Sequence, residues 1–199
     1  MILALKKFGV VINIKKCLIH IKTVNEITTF LVIDVLLVLN LGIIGYRNHA
    51  GKLISFLEKN SECKINYIYH PTKSLDDRFT NDFSNLYDCD AVIIASPNKT
   101  HYEYIEKLTK NFKGYIFCEK PPGRTLSDIV RIMNAEKENP GTKLMFGFNH
   151  RYHPGVLKAK AIVDSGRMGK VIALRGLYGK SGGNNFSKSW RNDLETSGG

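Results

Sequence analysis

Cysteine is scarce in this chain, four residues in 199, and Cys17, Cys63, Cys89 and Cys118 lie too far apart to form a Cys-x-x-Cys pair. That spacing excludes a zinc site built on paired cysteines and a dithiol redox motif, and it fits a reducing cytosol. A clean apolar leader is also missing. Lys6, Lys7, Lys15, Lys16 and Lys22 interrupt the first apolar stretch, and no small-residue cleavage site follows it, which argues against a secretory signal. The longest apolar run, Phe30 to Ile44, contains Asp34 and Asn40, which disfavours a membrane span. Acidic residues are few, 18 against 29 Lys and Arg, for a net charge of +11. The excess is spread along the chain, with its densest pairs, Lys6-Lys7 and Lys15-Lys16, in the first forty residues. Diffuse charge of this kind is a solvated surface more often than a nucleic-acid footprint, so no nucleic-acid partner is expected.

A hydrophobic content of 43% is enough for a packed core. Its pattern is one of short apolar runs separated by helical stretches. Leu39 to Ile44 reads as a strand buried on both faces, and Gly45 can make the sharp turn into a helix in which Leu53, Phe56 and Leu57 recur at helical spacing. A glycine fingerprint for phosphates is only partly present in Gly45-Tyr46-Arg47-Asn48-His49-Ala50. Arg47 stands where a second glycine would let the backbone approach a pyrophosphate, so it either turns outward or replaces that approach with a guanidinium contact. Lys64 to Tyr69 reads as the second strand and ends at His70-Pro71, where NAD-selective folds place a carboxylate on the adenosine ribose. Without it nothing repels a phosphate on that ribose. His70, Lys73 and Arg78 either attract one or are loop surface, with NAD bound through other contacts. On the first alternative NADP is accepted at least as readily as NAD.

Asp90 to Ser96 is the clearest buried strand and is broken by Pro97-Asn98 before a helix carrying His101, Tyr104, Ile105 and Leu108. The run Tyr115-Ile116-Phe117-Cys118 then delivers Glu119-Lys120-Pro121, a lysine and a carboxylate where a parallel sheet presents strand ends to a ligand. Thr125 and Asp128 form a capping pair for a helix with Leu126, Ile129, Val130 and Met133, and Leu144 to Phe148 reads as a further strand. Residues 71 to 84 read as a trimmed connection. Downstream stand Gly147-Phe148-Asn149-His150-Arg151-Tyr152 and Trp190-Arg191-Asn192-Asp193.

In order and spacing these motifs resemble the Gfo/Idh/MocA family of nicotinamide-dependent oxidoreductases, over residues 38 to 199. The resemblance implies an α/β fold: a Rossmann-type doubly wound parallel sheet over 38–150, then the truncated start of an α+β substrate-binding domain over 151–199, with a strand at Lys170 to Tyr178. Residues 1–37 then read as an upstream extension, with a membrane-associating leader as the alternative. The resemblance implies NAD or NADP as cofactor and Lys120 as the catalytic residue. It implies cofactor contacts from Gly45, Tyr46, Arg47, Asn48, His70, Ser96, Pro97, Asn98, His101, Glu119, Arg151, Trp190 and Arg191, with structural packing as the other reading of His101; Tyr152 and His153 read as packing residues. No metal is implied. The family's Asp-x-Gly-x-His motif has no counterpart here, so the chain reads as an inactive amino-terminal fragment of a cytoplasmic, homo-oligomeric dehydrogenase acting on a sugar, inositol or related polyol or keto substrate. The alternative is a non-catalytic nucleotide- or sugar-binding regulator of the same fold.

Overall fold

The computed structural model describes residues 16–21, 29–34, 38–177, 179 and 193–197. Two strands near the start, β1 (Lys16–Ile21) and β2 (Thr29–Asp34), pair antiparallel, with Lys16 opposite Asp34 and Ile21 opposite Thr29. A second sheet has six strands: β3 (Leu39–Ile44), β4 (Cys63–Tyr69), β5 (Phe79–Thr80), β6 (Ala91–Ile94), β7 (Tyr115–Cys118) and β8 (Lys143–Phe146), in the order β5-β4-β3-β6-β7-β8. The helices are α1 (Asn48–Leu57), α2 (His101–Thr109), α3 (Leu126–Glu138), α4 (Pro154–Asp164) and the short α5 (Leu194–Ser197). The chain divides into two compact units, Met1–Val92 and Ile93–Gly199.

In the first unit, β3 buries Leu41, Ile43 and Ile44. Consecutive buried residues put side chains on both faces, as a covered parallel strand requires. β3 pairs parallel with β4 from Leu39 opposite Cys63 to Ile44 opposite Tyr69, with a register shift between Leu41 and Gly42. Asn40 fixes the start of the strand: its N–H donates to Asp90 Oδ2 at 2.8 Å, and its carbonyl accepts from Asp90 N at 2.9 Å. The two-residue β5 pairs parallel with β4, Ile68 opposite Phe79. It lies inside the stretch that reads as a mere connection, because two residues are too few to show any periodicity. On α1 the buried residues are Ala50, Ile54 and Leu57. Phe56, expected on that stripe, is 65% exposed; at about 100° per residue it points away from Ala50 and Leu57.

In the second unit, β7 and β8 pair parallel from Tyr115 opposite Lys143 to Cys118 opposite Phe146. α2 buries Ile105 and Leu108. The inward face of α3 corrects the expectation. Asp128, Ile132 and Ala135 are buried, whereas Leu126 and Met133 are 79% and 61% exposed and Val130 is exposed as well. Both sets recur at helical spacing, so periodicity cannot choose between them. Arg131 marks the docked side: its guanidinium donates to both carboxylate oxygens of Glu106 on α2 at 2.8 and 2.6 Å and lies 4.5 Å over the Tyr102 ring. The strand expected at Lys170 to Tyr178 is not formed over the described residues Val171 to Leu177. Ile172 and Leu174 are 93% and 88% exposed there, and a strand without a paired neighbour has no ladder to hold it. No described helix is long and apolar enough to cross a membrane. Cys63, Cys89 and Cys118 are free and buried. Burial, with Asp88 and Asp90 nearby, pushes the Cys89 thiol up to about 12.

Gly42 is the tightest point of β3. A Cβ there would lie 2.7 Å from Leu86 Cδ2 and 3.2 Å from Cys89 Sγ. Gly42→Ala is therefore expected to destabilise the protein by about 1–3 kcal/mol, read as a lower urea midpoint at unchanged slope. An unchanged midpoint would mean that Leu86 turns aside without cost.

Candidate functional site

The first unit carries one group of the expected residues, at the carboxyl ends of β3 and β4. Gly45 follows β3 with φ +99°, a conformation that a side chain disfavours, and its N–H donates to Tyr69 O at 3.1 Å. The turn then enters α1. Arg47 is the N-cap, extended and without a side-chain cap bond, Asn48 opens the helix, and no acidic residue stands in the first turn. A helix amino terminus with free N–H groups and no carboxylate is suited to an anion. The Tyr46 ring meets the Phe79 ring edge-on at 5.0 Å, and Lys73 Nζ lies 3.4 Å from Tyr46 O and 5.5 Å from the Tyr46 ring centre. His70 Nδ1 accepts from the N–H groups of Thr72 at 3.3 Å and Lys73 at 3.0 Å. Burial, with the charges of Lys73 and Arg47, lowers the His70 imidazole below its ordinary value, so it is neutral at pH 7. Arg78 is already engaged. Its guanidinium binds both carboxylate oxygens of Asp76, at 3.1 and 2.6 Å, and Glu58 at 2.7 Å.

The second unit carries the other group, after β6 and β7. Ser96 Oγ accepts from the Thr100 hydroxyl at 2.8 Å, and Pro97 is the N-cap of a 3-10 turn over Asn98–Thr100. Asn98 Nδ2, expected among the cofactor contacts, donates to Ser197 O at 3.2 Å, which uses one of its two amide protons. His101 is 1% exposed, its Nδ1 2.7 Å from Pro121 O and its Nε2 2.9 Å from Ser96 O. Both ring nitrogens face backbone carbonyls, and the ring proton can go to one of them, a geometry that fits the structural reading of His101. Glu119 N donates to Ile94 O at 2.9 Å, and Glu119 Oε2 accepts from Lys120 N at 3.3 Å. Gly147 makes room for that carboxylate, since a Cβ there would lie 3.0 Å from Glu119 Oε2. Lys120 is exposed at the end of β7, and the peptide that joins it to Pro121 is cis. Arg151 is exposed in the 3-10 turn Asn149–Tyr152. His153 caps α4, accepting from Gly155 N at 3.2 Å through Nδ1. Trp190 and Arg191 lie outside the described residues.

Order and spacing at these strand ends match a known pattern. Residues 39–148 match the family model GFO_IDH_MocA, described as an oxidoreductase family with an NAD-binding Rossmann fold. This chain belongs to the Gfo/Idh/MocA family. It is similar to an inositol 2-dehydrogenase of Salmonella typhimurium, 34% identical over 98 residues, which are 49% of this chain and 29% of that protein. It is similar to a 2,7-anhydro-N-acetylneuraminate hydratase of Escherichia coli, 30% identical over 177 residues, with 81% of this chain and 45% of that protein covered. The crystal structure of scyllo-inositol dehydrogenase from Lactobacillus casei with bound NAD(H) and scyllo-inositol shares the fold, with a TM-score of 0.58 at 23% identity over 66% of this chain and 42% of that one. The chain thus spans less than half the length of these relatives.

Within this Gfo/Idh/MocA domain, sequence reasoning missed Arg124. Its N–H donates to Asp128 Oδ2 at 2.8 Å, and its guanidinium donates to Glu195 O. Together with Asn98 it ties α5 to the loops that follow β6 and β7. No local pattern signals this, because the partners are 71 and 99 residues apart. The expected capping pair does form: Asp128 N donates to Thr125 Oγ1, and Thr125 N donates to Asp128 Oδ2, both at 3.2 Å. Burial raises the Asp128 carboxyl, but the Arg124 and Thr125 donors outweigh it and hold the group below its ordinary value. A lowered acid contributes stability that is present above its unfolded value, near 3.9, and is lost as pH falls through the folded one. Asp128→Ala is expected to cost about 1 kcal/mol at pH 7, with the gap to the parent narrowing below about pH 4. Urea titrations at both pH values decide it. A gap that does not narrow with acid would show that packing, and not the charge, holds the loop.

Proposed function

We propose that this domain serves an oxidoreductase that moves a hydride between a nicotinamide dinucleotide and a carbohydrate-like carbinol, an inositol, sugar or related polyol. The observation that carries the reading is Glu119-Lys120 at the end of β7 in a chain whose residues 39–148 match the family's NAD-binding domain. The Salmonella typhimurium relative is named for inositol, and the Escherichia coli relative for a sugar acid, which supports this substrate class. The residues fit the cofactor: Gly45 holds the positive φ of a tight turn, and the acid-free start of α1 suits a pyrophosphate.

The dinucleotide, when bound, supplies the hydride acceptor or donor. The chain's own task is to hold the substrate oxygen and manage its proton. In the oxidising direction the carbinol carbon loses a hydride and its hydroxyl loses a proton, which passes to a base, the task of the Asp and His that the family is expected to add, leaving a carbonyl. Lys120 Nζ donates a hydrogen bond to that oxygen as its negative charge develops, while Glu119, held through Lys120 N and beside Gly147, sets the start of the loop. The Asp and His that the family is expected to add at the substrate have no counterpart in these 199 residues. On this reading the 199-residue chain binds dinucleotide but oxidises inositols and sugars poorly. Three free buried thiols fit a reducing cytoplasm.

Lys120→Ala, placed in a chain that also carries those groups, is expected to lower kcat by about 100-fold or more while leaving dinucleotide affinity within a few-fold. Steady-state rates over a panel of inositols and sugars, with cofactor titrations, give both numbers. Normal turnover with weakened cofactor binding would move Lys120 to a ribose or phosphate contact. Binding without turnover of any carbinol in the parent would favour a regulator.

A further inference from the structure

We propose that His70, Lys73 and Arg47 form a recognition site for a phosphate on the adenosine ribose, so that the domain selects NADP over NAD. This rests on the reading that the domain binds a nicotinamide dinucleotide, and it adds which one.

In a parallel dinucleotide-binding sheet, the residue ending the strand after the glycine turn meets the adenosine ribose. A carboxylate there accepts from the ribose hydroxyls and repels a phosphate; a basic group in its place reverses the preference. β4 ends at Tyr69 and the next residue is His70. The backbone fixes the tautomer of this histidine: Nδ1 accepts from Thr72 N and Lys73 N, so the proton of the neutral ring sits on Nε2. His70 therefore offers a donor and no negative charge. The same two bonds curl residues 70–73 into a turn that brings Lys73 back toward β3, where its ammonium lies 3.4 Å from Tyr46 O. Tyr46 is in turn held against Phe79 on the neighbouring β5. Arg47 follows Tyr46, whose carbonyl takes Lys73, and both cations disfavour the charged form of His70. Two cations and one neutral donor thus gather around the end of β4.

Asp76 does not cancel the cluster: it is held by Arg78 at 2.6 and 3.1 Å, and Arg78 also binds Glu58. That network also removes Arg78 from the set of phosphate-binding candidates that the sequence suggests. Arg47 enters the set instead. A phosphate monoester, with close to two charges at neutral pH and three acceptor oxygens, matches two cations and a neutral donor. A ribose hydroxyl needs an acceptor more than it needs either cation.

The experiment is fluorescence titration of the 199-residue chain with NADPH and with NADH, repeated for Lys73→Ala and His70→Asp. NADPH is expected to bind about tenfold or more tightly than NADH, and Lys73→Ala to weaken NADPH by about tenfold while leaving NADH within twofold. His70→Asp is expected to reverse the order. Tighter NADH binding by the parent would overturn the proposal, as would a loss of both cofactors in equal measure on Lys73→Ala, which would assign the cluster to the shared pyrophosphate. Binding of neither cofactor would overturn the underlying reading of the domain and this inference with it.

Discussion

A parallel sheet can be built only if the chain crosses back after each strand, and every function discussed above follows from that constraint. Each crossover leaves its strand at the carboxyl end, so Gly45 after β3, His70 after β4, Ser96 to Asn98 after β6 and Glu119-Lys120 after β7 stand at corresponding places in successive units. The strands must also be covered on both faces, which is why Leu41 to Ile44 of β3 and the whole of β6 read as apolar runs and why a side chain at Gly42 would crowd Leu86. Chemistry is then confined to the loops, where polar groups keep access to water or ligand.

Those loops are held by backbone carbonyls as much as by side-chain pairs. His101 is the clearest case, its two nitrogens on the carbonyls of Ser96 and Pro121. A buried imidazole in that position joins the loop after β6 to the loop carrying Lys120, its ring proton given to one of the two carbonyls. Thr125 and Asp128 do the same for the next stretch through reciprocal bonds. Lys120 therefore projects from a loop fixed on both sides, and a donor that must meet a developing charge gains from being placed in advance.

Charge is divided with the same economy. Arg78 and Arg131 are spent on carboxylates of their own neighbourhoods, Asp76 with Glu58 and Glu106 respectively. Exposed pairs of this kind add little stability, but they decide which cations remain for a ligand. From the sequence alone, Arg78 and Lys73 look equivalent, both basic and both shortly after the second strand. The pairing of Arg78 with Asp76 and Glu58 distinguishes them.

Local chemistry made much of this legible in the sequence. The bounds of β3, the turn at Gly45, the break at Pro97-Asn98 and the capping pair Thr125 and Asp128 each depend on residues within a few positions of one another, so the linear text carries them, and order and spacing together point to the family. Tertiary structure decided what depends on distant partners. It chose Ile132 and Ala135 over Leu126 and Met133 as the inward face of α3, two stripes that periodicity cannot rank, because the docking of α3 on α2 through Arg131 and Glu106 sets the rotation. It made Phe79–Thr80 a strand, since two residues become one only beside β4. It gave Asn98 and Arg124 their partners in α5, and it turned His101 inward, because a histidine's role is set by which acceptors surround it and those arrive only when the chain has folded.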